Sequence, residues 1–314
     1  DYDLGAAVSF KGIAEGVSNS NFLLETETGR YILTVYESRT NPDDLPYFLE
    51  LMRWLARHDY PSAEPMADRQ GGLIKQVRGK PCAITGFLNG LSVRRPTAAH
   101  CREAGGGLAG LHLAAGGFPM TRANDLGQPA WAGMFAGLEP AAEGLKPGLS
   151  ATIAADLEML ARRWPGDLPT GVCHADFFPD NVFFTAGRFS GAIDFYFACT
   201  DALAYDVAVA LNPWGFGPDG SFNITRARAL LAGYGAGRPP GAGGGPPPCL
   251  GGPRCRPPLP PRARRRQGAT AGHPGRSCRS SSSGSPPRPR AWGPVEQAGR
   301  GGAARWPPLP RTPV

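Results

Sequence analysis

"HADFFPDNVFFTAGRFSGAID", residues 174–194, decides how this chain is read. His174, Asp176, Asp180 and Asn181 crowd around Phe177, Phe178 and Pro179, ahead of two strand-like runs, "VFF" and "FSGAID". The "AGR" between those runs is a turn. With Gly187 and Arg188 as a two-residue loop, glycine in the first central position suits a type II′ turn. That register sets Asn181 opposite Asp194, with β-carbons roughly 5 Å apart at the open end of the hairpin. A carboxamide and a carboxylate meeting there offer the hard oxygen ligands that Mg²⁺ takes. Asp176 lies upstream in a loop bent by Pro179, near the metal but not needed as a ligand. It is left to accept a hydroxyl proton.

Outward from this stretch, the N-terminal residues read as sheet. "AAVSFKGI", "SNFLLETETG" and "RYILTVYES" carry β-branched and aromatic residues bounded by Gly and Asn. "LPYFLELMRWLARHD" follows with apolar residues at 45, 48, 49, 51, 52 and 55, one face of a helix. "GGLIKQVRGKPCAITGFL" returns to strand. Helices dominate from there to about residue 165, with stripes at Ala104, Leu108, Leu111 and Ala115 and at Ile153, Leu157, Leu160 and Trp164. "DALAYDVAVALNPWGF" reads as a buried helix. The expected fold is α+β with two lobes. An N-terminal lobe, 1–88, combines an antiparallel sheet with a helix. A mainly helical lobe, 89–234, carries the hairpin.

The rest is a different material. Residues 235–314 hold 16 Gly, 19 Pro and 14 Arg, no Lys and a single acid, Glu296, for a charge of +13. Residues 1–234 hold 19 basic and 25 acidic residues, a charge of −6. The overall +7 therefore says nothing of a nucleic-acid substrate for the part that folds. Pro and Gly forbid regular structure in the tail, and it has too few apolar residues for a core, so disorder is expected. Arg without Lys, mixed with Gly, Pro and Ala, is what a G+C-rich gene yields in the wrong frame. The tail is expected to be a frameshift product beginning near codon 235, which would leave the helical lobe incomplete.

Cys82, Cys101, Cys173 and Cys199 are scattered, and Cys249, Cys255 and Cys278 suit no common zinc site. Free thiols of a reducing compartment are expected. No apolar run approaches the ~18 residues of a membrane span, and "DYDLGAAVSF" lacks a basic signal region. The chain starts without Met, so a truncated start is expected; a cytoplasmic protein is the overall expectation. "GGGLAG", 105–110, matches G-x-G-x-x-G, but helical sequence precedes it, which argues for close helix packing rather than a dinucleotide turn. The phosphate-binding G-x-x-x-x-G-K-[ST] is absent.

His-x-Asp-x-x-x-x-Asn followed by a hairpin to a second Asp is the catalytic constellation of kinases. On the other reading Asp176, Asp180 and Asn181 cap turns and Asp194 ends a strand; the joint spacing favours the catalytic one. His174 taken singly reads as an architectural hydrogen-bonder. The stretch resembles the catalytic loop of the aminoglycoside phosphotransferase and choline kinase-like superfamily, whose fold is that of protein kinases. More narrowly, "HADFFPDNVFF" with "GAIDFYFACTDALAYDVAVALNPWGF" is similar to the homoserine kinases of the kinase-fold type. "SFKGIAEGVSNSNFLLET", "RYILTVYE", "DDLPYFLELM" and "GGLAGLHLA" fit the same family, and the resemblance covers about 1–234.

The resemblance implies ATP and Mg²⁺ as cofactors and L-homoserine as substrate, phosphorylated on its hydroxyl on the route to threonine. Asp176 would be the base, with Asn181 and Asp194 on Mg²⁺. Gly12, Gly16, Asn19, Ser20 and Asn21 would lie in the loop over the phosphates. Phe87 and Leu88 would lie in the hinge that meets adenine. Asp201 and Asp206 would brace the catalytic loop. Thr34 stands where the superfamily carries a basic strand residue, so Lys11 or Arg39 is expected to serve, with Lys11 preferred. Arg94, Arg95 and Asn124 are candidates for gripping the amino acid on charge and placement alone. The alternatives are a kinase for an amino alcohol or aminoglycoside, and an inactive product whose basic tail binds nucleic acid.

Overall fold

The computed structural model describes residues 1–13, 19–37, 40–217 and 219–238. Gly16, Arg39 and the tail from residue 239, with Cys249, Cys255 and Cys278, lie outside the described residues. Asp1–Pro248 form one compact unit; a second, Cys249–Val314, lies wholly outside them.

The β-branched and aromatic runs form a five-stranded antiparallel sheet of order β1-β2-β3-β5-β4. Its strands are β1 (Ala7–Ile13), β2 (Asn19–Thr26), β3 (Arg30–Tyr36), β4 (Lys75–Val77) and β5 (Lys80–Gly86). The register pairs Asn21 with both Ile13 and Thr34, and Thr34 in turn with Ala83. Between β3 and β4 the chain makes a 3₁₀ turn, Pro42–Asp44, capped by the Asn41 side chain, and enters α1 (Leu45–Arg57). The apolar stripe expected on α1 is buried along its length. That face joins the core that also holds Tyr36 and Ala83 of the sheet, at roughly 1.5–3 kcal/mol per large side chain.

The helical part contains α2 (Ala98–Ala114), α3 (Gln128–Ala136), α4 (Glu139–Leu145), α5 (Leu149–Arg163), α6 (Leu203–Gly215) and α7 (Ile224–Gly237). Two short ribbons are set among them: β6 (Thr170–Cys173) with β9 (Cys199–Ala202), and β7 (Val182–Thr185) with β8 (Arg188–Ala192). Thr97 caps α2 in a reciprocal box with His100. The stripe Ala104, Leu108, Leu111, Ala115 is buried. The stripe on α5 is only half-buried.

"GGGLAG" lies inside α2, with no strand before it. A β-carbon on Gly105 would overlap the carbonyl of Leu230, and one on Gly233 the carbonyl of Arg102. The glycines thus let α2 and α7 meet backbone to backbone. This corrects the expected start of the tail: helix continues through Gly235–Gly237, where contact with α2 outweighs the poor helix propensity of glycine.

The hairpin also differs from expectation. Its turn residues are Ala186 and Gly187, with φ of 49° and 76°, the pattern of a type I′ turn rather than II′ at Gly187-Arg188. Ser190 is an extra, bulged residue, because Phe183 pairs with Gly191 and Phe184 with Phe189. Together these shifts set Asn181 opposite Ile193, whose N–H donates to the Asn181 carbonyl at 3.0 Å. Asp194 comes one residue later, with φ 63°.

One core runs from Tyr36 and the buried face of α1 through Leu108, Phe177, Val182 and Phe195 to Trp214 and Leu230. The Tyr36 and Tyr196 rings meet edge to face and their hydroxyls lie 3.1 Å apart, which ties the sheet to the segment after Asp194. Among the described residues no helix is long and apolar enough to cross a membrane.

Candidate active site

The loop 174–181 is held from beneath. Asp206, buried on α6, accepts the N–H of His174 at 2.7 Å and of Ala175 at 2.9 Å, and His112 Nε2 at 2.9 Å. Burial alone would raise its pKa, but the His112 contact and the loop N–H groups hold it below the usual value. His112 Nδ1 lies 2.8 Å from the Tyr234 hydroxyl on α7. Trp214 Nε1 donates to the Phe177 carbonyl at 2.7 Å. With its backbone fixed on both sides, the loop can keep Ala175 at φ 61°, a conformation that costs a non-glycine residue ~1–2 kcal/mol.

His174 is fully buried, and its desolvation lowers its pKa, which keeps the ring neutral. Nε2 donates to the Ile193 carbonyl at 3.0 Å and Nδ1 accepts the Asp176 N–H at 3.3 Å. The ring therefore links the loop to the strand leading to Asp194 and is architectural.

Asn181 Nδ2 donates to the Asp176 carboxylate at 2.8 Å and to the Asp176 carbonyl at 2.9 Å. Its Oδ1 is thereby the atom left to a cation. Burial is the main cause that pushes the Asp176 carboxyl up to about 7; the charge of Asp194 adds to it, and the Asn181 bond opposes it. Burial also raises Asp194, against a hydrogen bond from the Tyr196 backbone. Asn181 thus contacts Asp176, and Asp194 lies close enough to Asp176 for its charge to be felt, although not through the directly opposed register. Among the described residues no group of three or more His, Cys, Asp or Glu forms a metal cage. Mg²⁺ needs none, since it is commonly held by one or two carboxylates with phosphates and water. The Asp194 carboxylate and the Asn181 carboxamide oxygen are hard oxygen donors of the kind it takes.

The other candidates are spread unevenly. Thr34, buried at the basic-residue position, donates to Asn21 Oδ1 at 2.8 Å, so no cation sits there. Lys11 is exposed on β1, on the same face as Thr34 by the strand register. Gly12 pairs with Phe22. Ser20 donates to Glu37 at 3.0 Å, and Asn19 accepts the Glu37 N–H at 3.2 Å. In the hinge, Phe87 donates its N–H to the Arg30 carbonyl at 3.1 Å, so that N–H is already used, while Leu88 packs near Gly191.

A cavity of about 570 Å³ opens beside Asp194 and also takes in Asn19, Asp44, Arg122, Asp125 and Tyr196. Arg94 and Arg95 are exposed and do not line it. Asn124 does not line it either: its amide donates to Asp201 at 2.6 Å and its carbonyl accepts the Leu126 N–H at 3.0 Å. Arg122 is the residue that sequence reasoning passed over. It sits in a loop where no periodic pattern marks it; its only local signal is a basic residue three positions before an acidic one.

A five-stranded sheet followed by a helical lobe, with an Asp–Asn–Asp corner on a braced loop, is the design of a kinase-like phosphotransferase. The sequence pattern of the family described as "Phosphotransferase enzyme family" matches residues 9–240, and the chain belongs to that family. Its relatives in the family include the homoserine kinase of Caulobacter sp. (strain K31), 68% identical over 240 residues, covering 76% of this chain and 75% of that one. The homoserine kinase of Phenylobacterium zucineum (strain HLK1) is 70% identical over 239 residues, 76% and 74% of the two chains. Among solved structures, an amicoumacin kinase in complex with AMP-PNP and Ca²⁺ superposes with a TM-score of 0.58 at 14% identity, over 72% of this chain and 71% of that one. A spectinomycin phosphotransferase in complex with ADP gives 0.56 at 16% identity, over 74% and 75%. The two structures speak to the fold alone.

Proposed function

We propose that this chain transfers the γ-phosphoryl group of ATP to the hydroxyl of L-homoserine, giving O-phosphohomoserine and ADP on the route to threonine, in the cytoplasm. The carrying observation is the corner itself: a half-buried carboxylate, Asp176, held at 2.8 Å by Asn181 and close enough to Asp194 to feel its charge. Identities of 68% and 70% to homoserine kinases support the choice of alcohol.

Asp176 accepts the hydroxyl proton as the alcohol oxygen attacks the γ-phosphorus, and the bond to the β-bridging oxygen breaks to release ADP. Asn181 and Asp194 would hold Mg²⁺, which when bound neutralises phosphate charge. Asn181 also fixes the Asp176 carboxylate in the attacking geometry. The buried setting strengthens each of these contacts, and positioning with electrostatics supplies most of the rate in such transfers. Asn19, Ser20 and Asn21 border the phosphate side, and Lys11 is the cation that reaches it.

The test is a coupled ADP-release assay with homoserine, choline and kanamycin offered in turn. Turnover with homoserine alone supports the reading. Turnover with choline or kanamycin in its place identifies a different small-alcohol kinase. Nucleic-acid binding that disappears with residues 239–314, in the absence of any turnover, would make the tail the only active part.

A further inference from the structure

Among the described residues, the cavity beside Asp194 contains one cation, Arg122, in an unusual setting. Its side chain is 15% exposed and its guanidinium lies 5.2 Å from the Phe48 ring centre. Its Nη1 reaches the carbonyls of Ala123 and Ala198 at 3.4 Å each. Its Nε is buried and has no hydrogen-bond partner among the described residues. Two carboxylates converge on its Nη2: Asp44 at 3.0 Å, and Asp125 in closer contact. Asp44 stands at the N-terminus of α1, where Asp is a preferred cap, yet its side chain makes no capping bond. It is turned to Arg122 instead. Asp125 is different: 71% exposed, it forms the kind of surface ion pair that contributes little.

We infer that this cavity seats the α-amino-acid end of the alcohol substrate, with Arg122 taking the α-carboxylate and Asp44 the α-ammonium. Asp125 is the exchangeable carboxylate that occupies Arg122 until substrate arrives. A zwitterion needs one cation and one anion fixed side by side, which Arg122 and Asp44 provide. The orphaned Nε and the shared Nη2 face one edge of the guanidinium, and a planar carboxylate can bridge such an edge. The same cavity wall carries Asp194, so a hydroxyl two carbons beyond the amino-acid centre points toward the reacting corner. The inference rests on the proposed function and assigns it a specificity site.

The test compares kcat/KM for homoserine, for 3-aminopropan-1-ol, which lacks the carboxylate, and for 4-hydroxybutyrate, which lacks the ammonium. The wild-type chain should prefer homoserine over either by about 10³-fold or more, as polar sites do against analogues that leave them unpaired. Arg122→Lys should lower kcat/KM for homoserine ~100-fold while moving 3-aminopropan-1-ol less than about threefold, with the KM for ATP unchanged. Asp44→Asn, a change at a partly exposed position that keeps the side-chain shape, should likewise narrow the gap between homoserine and 4-hydroxybutyrate. It keeps the test open if the arginine variant fails to fold. Equal losses on all substrates, or unmoved ratios, overturn the assignment while leaving the proposed function standing. No turnover of homoserine by the wild-type chain overturns both.

Discussion

Asp176 and Asp194 are carboxylates of the same corner, and burial raises the pKa of both. For Asp176 the value of about 7 sets a pH dependence. The base must be ionised to take a proton, so kcat/KM should rise with pH up to about 7 and then level off. A cation at Asp194 favours the ionised form, so more Mg²⁺ should move that limb to lower pH. A limb that ignores Mg²⁺ would separate Asp176 from the metal site. Asp176→Asn should lower kcat by about 10²–10⁴-fold and leave nucleotide affinity, read by calorimetry, little changed. Lys11→Ala should raise the KM for ATP by about tenfold, or ~1.4 kcal/mol; an unchanged value excludes Lys11 as the phosphate cation. The corner was legible in the spacing of residues 174–194 because its parts are neighbours along the chain. Arg122 was not, because Asp44, the partner at the N-terminus of α1, is brought to it only by the folded chain.

The hairpin and the α2–α7 contact show what governs single elements. Ala186 holds a left-handed turn position that glycine takes without cost. Ala186→Gly should therefore stabilise the protein by up to ~1 kcal/mol, seen as a higher midpoint in urea. Gly233→Ala should do the opposite. Its new methyl meets backbone rather than a movable side chain, and a loss of about 3 kcal/mol or more is expected. The strand-helix order of residues 1–88 was readable from β-branched and aromatic content in the strands and from the helical period of α1. The turn register was not: Ala186 gives no sign of a positive φ, and the bulge at Ser190 is set by packing. The four-residue strands β6 and β9 are too short to show alternation, and α7 was hidden because its glycines read as loop.

Across the whole molecule, Tyr234, His112 and Asp206 connect the last described helix to the catalytic loop. Because the folded pKa of Asp206 lies below its ordinary value of 3.8, its stabilising contribution is complete above that value. It is lost as pH falls further, so acid should release the loop. Tyr234→Phe should cost ~1 kcal/mol and lower kcat, with circular dichroism unchanged at 25 °C. A chain ending after Arg238 should keep homoserine turnover; one ending at Asn223 should have none. The end of α7 at Gly237 and of the family match at residue 240 move the expected change of reading frame from near codon 235 to about codon 240. Translating the neighbouring frames there should give a Leu-rich helical continuation. Its absence from both frames would mark the Arg-rich tail as genuine. The contact of α7 with α2 also bears on biosynthesis. A nascent polypeptide exposes its proton acceptor and cation ligands well before Tyr234 leaves the ribosome. Until that tyrosine emerges His112 lacks its outer partner, so turnover should appear only once α7 is in place, and a protease that nicks α7 should lower it again in a finished molecule.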